Sequence, residues 1–321
     1  MREVLQLLQD GEFHSGEAIG ALLGVSRAAV WKRLQCLDVE LALSIQRVRG
    51  RGYRLPSPLS LLRRDELRLD CVASGWSLQL LESVDSTNAE ALRRLAAGES
   101  APLLVVAERQ EKGRGRRGRT WVSPYGENLY YSLGLRLEGG LSRLEGLSLA
   151  VGLAVLRALQ AVHADGLGLK WPNDLLVGER KVAGILLELV GDPADSCQVA
   201  IGVGVNVNML PMGGGAIDQP WTSLRQLAGR LLDRTQLALS LGEWLRHYLG
   251  VHARDGFSAL REEWEAMHLW QGREVSLLAG PQRIDGVVLG VDRQGALRLE
   301  VDGQECLFSG GELSLRLRDG S

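Results

Sequence analysis

GRGRRGRTW, residues 113–121, organises the reading of the whole chain: four arginines and three glycines fill Gly113–Arg119, and Thr120 and Trp121 follow. Glycine lets a backbone pass close to a ligand and adopt positive φ at little steric cost. Arginine supplies a permanently charged planar fork that matches carboxylate and phosphate oxygens. Alternating the two makes a poor helix and a poor strand, so the stretch reads as a loop that closes over something anionic. A run of charge alone equally fits a solvated basic loop or a nucleic-acid patch. The segments on either side decide between these readings.

With 321 residues the chain has room for two or three domains and a sizeable core. Hydrophobic residues at 45% and charged residues at 24% are ordinary for a globular protein. A net charge of -2 excludes general polyanion affinity, so any DNA binding must come from a local basic face. Forty glycines point to many tight turns or ligand-hugging loops. Cys36, Cys71, Cys197 and Cys306 are scattered without a C-x-x-C pair, which predicts isolated core thiols rather than a zinc site or disulfide frame. The opening MREVLQLLQDGEF carries charge throughout and has no signal-peptide core. The apolar stretch Gly146–Leu156 is too short to span a bilayer and reads as a buried helix. These features predict a cytoplasmic protein with no membrane segment.

Upstream, residues 2–9 place apolar groups at helical spacing and Asp10-Gly11 ends that helix. Ser15 is positioned to cap a second helix that stops at Gly24, and Ser26 to cap a third, RAAVWKRLQCL. Two helices joined by a short glycine-containing turn carry the helix-turn-helix signature. Val30, Leu34 and Leu37 share one side of the third helix, leaving Arg27, Trp31, Lys32 and Gln35 largely elsewhere. QRVRGRGYRL then reads as a hairpin with Arg49 and Arg51 at a basic tip, the wing of a winged helix. From Gly24 to Arg54, seven Lys and Arg stand against two Asp and Glu. Such a face meets phosphates and presents the third helix to the major groove. A winged helix used for protein contact is the other reading, and Trp31 also fits a packed core position.

LPSPLSLL at 55–62 reads as a domain boundary. Beyond it the pattern predicts a short helix from Asp65, a strand at 78–82, the turn SVDSTN, and a helix through Ala97. A buried strand at 102–107 then leads into Glu108, Arg109, Gln110 and the arginine loop. A half-buried strand at 128–137 and a long helix over 142–163 come next. KWPND (170–174) follows a short strand, and Arg180-Lys181 sits in a turn before VAGILLELV. CQVAIGVGVNVN is a further buried strand, 209–220 a Gly/Pro-rich loop, and helices run from Thr222 to about Met267.

DSTN (85–88), GRGRRGRTW (113–121), KWPND (170–174), RKVAGILLE (180–188) and GVGVN (202–206), in this order and spacing, resemble the biotin–protein ligases. The winged helix in front makes the chain similar to the bifunctional biotin ligases that also repress the biotin operon. The short strands from Glu274 to Arg316, closing with GGELSLR, resemble the SH3-like barrel of those enzymes. The resemblance implies an α+β protein in three parts: a winged helix-turn-helix DNA-binding domain over 1–60, a mixed α/β ligase domain over 65–268, and an SH3-like domain over 269–321.

It also implies a two-step reaction. Biotin's carboxylate attacks the α-phosphate of Mg²⁺-bound ATP, giving biotinyl-5′-AMP and pyrophosphate. A lysine of the biotin carboxyl carrier protein of acetyl-CoA carboxylase then takes the biotinyl group as an amide. Two anions must meet in the first step, so fixed cations are needed, and Arg114, Arg116, Arg119, Lys170 and Lys181 are the supply. By analogy Lys181 sits at the carboxylate, Arg114 and Arg116 along biotin and the adenylate phosphate, and Arg119 towards pyrophosphate. Ser86, Thr87, Asn88 and Gln110 answer the ureido ring, although Ser and Thr in DSTN are also favoured helix caps. Gly113, Gly115 and Gly184 allow close backbone approach. Asn173, Asp174, Asn206 and Trp221 lie on the ATP side, with Asp174 assisting Mg²⁺ or the attacking lysine. For Trp121, core packing and ligand contact are both open.

The resemblance further implies that the adenylate is the corepressor. Ordering of loops near 110–127 and 139–146 then favours a homodimer whose two winged helices read a palindromic operator. A lipoate or octanoate protein ligase shares the catalytic architecture, and a ligand-sensing transcription factor with an inactive ligase domain is a third possibility.

Overall fold

The computed structural model describes residues 2–41, 43–138, 140, 143–163, 165–192, 196–211, 217–310 and 313–318. At the N-terminus, α1 (Arg2–Leu8), α2 (Gly16–Leu23) and α3 (Arg27–Leu41) precede a hairpin of β1 (Gln46–Val48) and β2 (Gly52–Arg54). The Ser15 hydroxyl accepts from the Ala18 N–H at 3.0 Å, and Gly24, in the left-handed region, stops α2. Ser26 caps α3 in the same way through the Ala29 N–H. Val30, Leu34, Leu37 and Leu41 are the buried side of α3 and pack with Val4, Leu5, Leu8 and Ile19. Trp31 is 49% exposed, so it is not a core aromatic. Phe13 carries Arg51 and Arg54 stacked at 4.2 and 4.5 Å from its ring, which orients two of the wing's cations.

The centre is a seven-stranded sheet in the order β3-β4-β5-β9-β8-β7-β6. Its strands are β3 (Ser77–Leu81), β4 (Leu103–Ala107), β5 (Leu129–Glu138), β6 (Leu167–Lys170), β7 (Asp174–Val177), β8 (Arg180–Gly191) and β9 (Ser196–Val205). Only β3 and β4 pair in parallel; the other pairs are antiparallel. Helices α4 (Arg64–Ala73), α5 (Thr87–Ala96), α6 (Leu147–Gln160), α7 (Leu224–Ala228), α8 (Arg234–Asp255) and α9 (Arg261–Ala266) surround it. Alternation along β4 separates the two faces. Leu104 and Val106 join the large core formed with α6 and α8, whereas Leu103 and Val105 pack with Ala91 and Leu95 of α5. On β9, Val199, Ile201, Val203 and Val205 belong to the large core, and Ala200 belongs to the α5 side. Gly202 and Gly204 continue that second face beyond the end of α5, and there the sheet is bare enough to hold a ligand.

A five-stranded antiparallel sheet closes the chain, with β10 (Glu274–Ala279), β11 (Gln282–Val291), β12 (Leu297–Val301), β13 (Gln304–Phe308) and β14 (Leu313–Leu317) in the order β13-β12-β11-β10-β14. Val275, Leu277, Val288, Leu297, Leu299 and Leu315 fill its inner side. The Trp171 indole donates to the Gly295 carbonyl at 3.1 Å, and the Val291 N–H donates to Glu265 at 2.9 Å, which seats this SH3-like unit on the centre.

The winged helix is tied to the centre through the end of β4. Arg2 reaches Glu82, the Leu62 carbonyl and Glu108, while Arg109 donates to the Glu40 carbonyl on α3 at 2.9 Å. Tyr125 is buried in the winged-helix core and donates to Glu82.

Four expectations are corrected. Arg180 and Lys181 do not form a turn: they open β8, and the turn before them is at Gly178 and Glu179. The long helix starts at Leu147 rather than 142, capped by Gly146 in the left-handed region. Of the cysteines only Cys71 and Cys197 are buried; Cys36 and Cys306 are half-buried, although all four are free. Fourth, helix capping in DSTN does not use the Ser86 side chain, as the site shows below. Parts of the expected 139–146 and 209–220 loops and of the closing GGELSLR (139, 141–142, 212–216 and 311–312) lie outside the described residues. No helix among the described residues is long and apolar enough to cross a membrane.

Candidate active site

A cavity of about 450 Å³ occupies the bare end of the sheet, a volume suited to a drug-sized ligand. Its charged walls are Arg114, Arg116, Arg117, Arg119, Lys170 and Lys181 against Asp174 and Asp218, six cations to two anions. That excess selects an anionic occupant.

The arginine loop is a compact turn. The Gly115 N–H donates to the Arg119 carbonyl at 2.7 Å and the Trp121 N–H to the Gly113 carbonyl at 2.9 Å, pinching the loop at its base. Arg116–Gly118 forms a short 3₁₀ turn in which Arg117 takes φ 60, the left-handed region. Arg116 donates to Asn173 Oδ1 at 2.9 Å, and Arg114 pairs with Glu188 at 3.1 Å. Burial pushes the Arg116 pKa down, opposed by the charge of Asp174.

Facing the loop, Lys181 Nζ lies 2.6 Å from Asp174 Oδ1 and 5.4 Å from the Trp121 ring centre. Burial alone would raise the Asp174 carboxyl, but Lys181, Lys170 and Arg116 hold it below the ordinary carboxylate range. Lys170 stacks on Trp270 at 4.8 Å; burial pushes its ammonium down to about 8, with Asp174 opposing and Arg316, Lys181 and Arg119 adding to the fall.

The other end of the cavity is neutral and polar. Ser86 holds the cap position of α5 without a side-chain cap bond, so its hydroxyl is not consumed by the helix. Asp85 instead accepts from the Ser86 N–H and pairs with Arg93. Thr87 donates to Gln110 Oε1 at 3.0 Å, and Gln110 Nε2 donates to Ser123 Oγ at 3.1 Å. Asn88 is buried, donating to the Leu186 carbonyl and to Glu188.

Of the residues expected at the site, Ser86, Thr87, Asn88, Gln110, Arg114, Gly115, Arg116, Arg119, Trp121, Lys170, Asn173, Asp174, Lys181, Gly184, Asn206 and Trp221 all line this one cavity. Gly113 does not. A Cβ there would lie 2.4 Å from the Trp121 carbonyl oxygen, so its missing side chain serves the base of the loop rather than a ligand. Asn206 spends its amide N–H on the carbonyls of Lys181 and Thr222, holding together the strand that carries Lys181 and the segment that carries Trp221. Trp121 lies against Gly204 with its indole N–H buried and without a partner among the described residues. It is a wall of the cavity, not of the core.

Sequence reasoning missed three features. Gly202 and Gly204 line the cavity, and the small residue at every second position of GVGVN was the available signal. Glu188 is fixed by contacts no local pattern reveals. Leu313, Ser314 and Leu315 bring the last strand of the chain to the cavity wall. Among the described residues no group of three or more His, Cys, Asp or Glu is placed to hold a metal ion, and Asp174 is already engaged by Lys181.

Residues 80–206 match the Biotin/lipoate A/B protein ligase family and residues 1–54 match an HTH domain. The chain is 42% identical over 316 residues to the bifunctional ligase/repressor BirA of Escherichia coli (strain K12), covering 98% of this chain and 96% of that protein. The chain belongs to the bifunctional biotin ligase/repressors. This ligase/repressor is also 37% identical to the biotin–[acetyl-CoA-carboxylase] ligase of Paracoccus denitrificans, over 68% of the chain and 92% of that enzyme. Among solved structures, the biotin protein ligase from Aquifex aeolicus in complex with biotin and ATP superposes with a TM-score of 0.64 at 32% identity, covering 75% of this ligase/repressor and 99% of that chain.

Proposed function

We infer that this chain is an ATP-dependent biotin–protein ligase that also acts as a transcriptional repressor. The observation that carries the ligase reading is one cavity with a neutral hydrogen-bonding end at Ser86, Thr87 and Gln110 and a cationic end at Arg116, Lys170 and Lys181. Biotin has the same polarity: a ureido ring at one end and a carboxylate at the other. Buried polar groups reject analogues that leave them unpaired, which separates biotin from a plain fatty acid or a lipoyl chain.

In the proposed reaction Lys181 exchanges its hold on Asp174 for the biotin carboxylate and the α-phosphate it attacks. Arg114 and Arg116 neutralise the adenylate as pyrophosphate leaves, Arg119 and Lys170 take the outgoing phosphates, and Trp121, Asn173, Asn206 and Trp221 frame the nucleotide. Asp174, released from Lys181, orients the incoming lysine, whose amine, after giving a proton to water, attacks the biotinyl carbonyl as AMP leaves. With Mg²⁺ bound alongside ATP, Asp174 is a cavity carboxylate that would help hold it, and the ion would offset phosphate charge. The acceptor is the lysine of the biotin carboxyl carrier protein of acetyl-CoA carboxylase.

For repression, Arg27, Trp31 and Lys32 of α3 face the operator's major groove, and Arg49 and Arg51 of the wing meet phosphate. The adenylate is the corepressor and promotes a homodimer. The units are residues 1–60, 65–268 and 269–321, and the protein works in the cytoplasm. Pyrophosphate release that requires both biotin and ATP, followed by transfer of biotin to a carrier domain, tests the enzyme; release with lipoate but not biotin would overturn it.

A further inference from the structure

An ion pair followed by a run of side-chain hydrogen bonds joins the arginine loop to the polar end of the cavity, and Glu188 is the member next to Arg114. Glu188 Oε1 lies 3.1 Å from Arg114 Nη1, and its Oε2 accepts from Asn88 Nδ2 at 2.9 Å. Asn88 Nδ2 also faces the Leu186 carbonyl at 3.1 Å, which fixes which way the amide points and turns Oδ1 towards Ser132. The Ser132 hydroxyl is 2.6 Å from Asn88 Oδ1 and 2.8 Å from Thr87 Oγ1, and Thr87 donates onward to Gln110. Glu188 does not line the cavity. Whatever it does to a ligand passes through Arg114 and Asn88.

We propose that Glu188 is a positioning residue: it sets the Arg114 guanidinium over the cavity and Asn88 beneath it, so that the site binds biotin tightly and retains the adenylate. The proposal rests on Arg114 being an anion-binding group of the ligase. A long side chain on a glycine-flanked loop samples many rotamers, and fixing it beforehand removes part of the ordering cost of binding. One contact to Nη1 leaves the rest of the guanidinium fork for the ligand. The pair is partly exposed, at 45% for Arg114 and 24% for Glu188, and exposed pairs are weak. Glu188 therefore orients Arg114 without outcompeting an adenylate phosphate held by several cations. A strong competitor would have the opposite effect on affinity, and that difference in sign makes the proposal testable.

Glu188→Gln keeps the shape and an acceptor for Asn88 while removing the charge opposite Arg114. It should raise the KM for biotin about tenfold, lower kcat for pyrophosphate release by a smaller factor, leave the KM for ATP nearly unchanged, and increase biotin labelling of a bystander protein such as serum albumin. Arg114→Ala should raise the biotin KM at least as far, and the double variant should match Arg114→Ala alone, as expected when one residue acts through the other. A biotin KM that is unchanged or lowered in Glu188→Gln overturns the proposal, as does full additivity in the double variant. A fall in kcat that tracks a lowered Tm, without added labelling, would make Glu188 merely structural. An unchanged biotin KM in Arg114→Ala would instead reject the assignment of Arg114 on which the proposal depends.

Discussion

Glu108 and Arg234 form an ion pair in which both side chains are completely buried, linking the end of β4 to the start of α8. The partners around them are fully used. Glu108 also accepts from the Leu62 N–H at 2.9 Å, and Arg234 donates to the carbonyls of Ser60 and Asn128. Removing one member of a buried pair strands the other charge, which costs about 3–5 kcal/mol. Glu108→Gln should therefore lower unfolding stability by that order in urea titration. A loss below about 1 kcal/mol would mean that water reaches the pair.

Lys170 should impose a pH limit on ATP use. Its ammonium is pushed down to about 8 by burial, so in the free enzyme its charge fades as pH rises through that value. The kcat/KM for ATP reports free-enzyme ionisations and should fall on the alkaline side with an apparent pKa of about 8. Lys170→Arg should move that limb beyond the measurable range. The same burial acts on stability with a definite sign: the folded state binds this proton less readily than the unfolded chain. Stability should therefore rise as pH climbs from about 8 towards the ordinary lysine value of about 10.4, and Lys170→Met should remove the rise.

Gly204→Ala should damage biotin binding more than folding. A Cβ at Gly204 falls 2.6 Å from the Trp121 ring and one at Gly202 falls 2.4 Å from Asn88 Oδ1, so each addition must move a cavity wall. Isothermal titration should show biotin affinity reduced tenfold or more, equivalent to about 1.4 kcal/mol, with the circular dichroism spectrum retained. Unchanged affinity would show that Trp121 moves aside freely.

Arg116→Gly should release biotinyl-5′-AMP and label unrelated lysines. Arg116 bridges the loop to Asn173, so its loss removes both a cation and a tie that closes the cavity. Promiscuous labelling no greater than that of the unaltered enzyme would count against the role given to this residue.

On the DNA side, Trp31→Ala and Lys32→Ala should weaken operator binding without changing pyrophosphate release. Arg49→Ala and Arg51→Ala, which remove phosphate contacts, should each reduce the slope of log affinity against log salt by about 1. Trp31→Ala should instead alter base preference with little change in that slope.

Those features that depend on neighbours in the chain were legible beforehand. Ser15 and Ser26 cap their helices as read, the wing arginines lie about Gly50, and the five separated motifs converge on one cavity because each supplies a turn or strand end. What escaped depends on register across strands. Arg-Lys after Gly-Glu has the polarity of a turn, yet the Lys181 backbone is bonded to Pro220 and Thr222, which belong to a segment about forty residues away. Ser86 looked like a helix cap because of its type, but Asp85 takes the neighbouring N–H and leaves its hydroxyl idle. Glu188 and the strand Leu313–Leu317 lie in stretches that read as strands, but nothing local says that Glu188 meets Arg114 or that the last strand reaches the cavity, since sheet pairing and docking of the last unit bring that about.

Glu108, Arg109 and Gln110 are successive residues with three separate duties: the first meets Arg2 and Arg234, the second the end of α3, and the third the ligand pocket. There is consequently no slack in the chain between the part that would read an operator and the part that would grip a vitamin. Cutting away the first sixty residues takes Arg2 from Glu108 and the α3 carbonyl from Arg109 at once, and Gln110 is covalently bound to both. A ligase shorn of its reading head is therefore a differently tuned catalyst, not the same one made shorter.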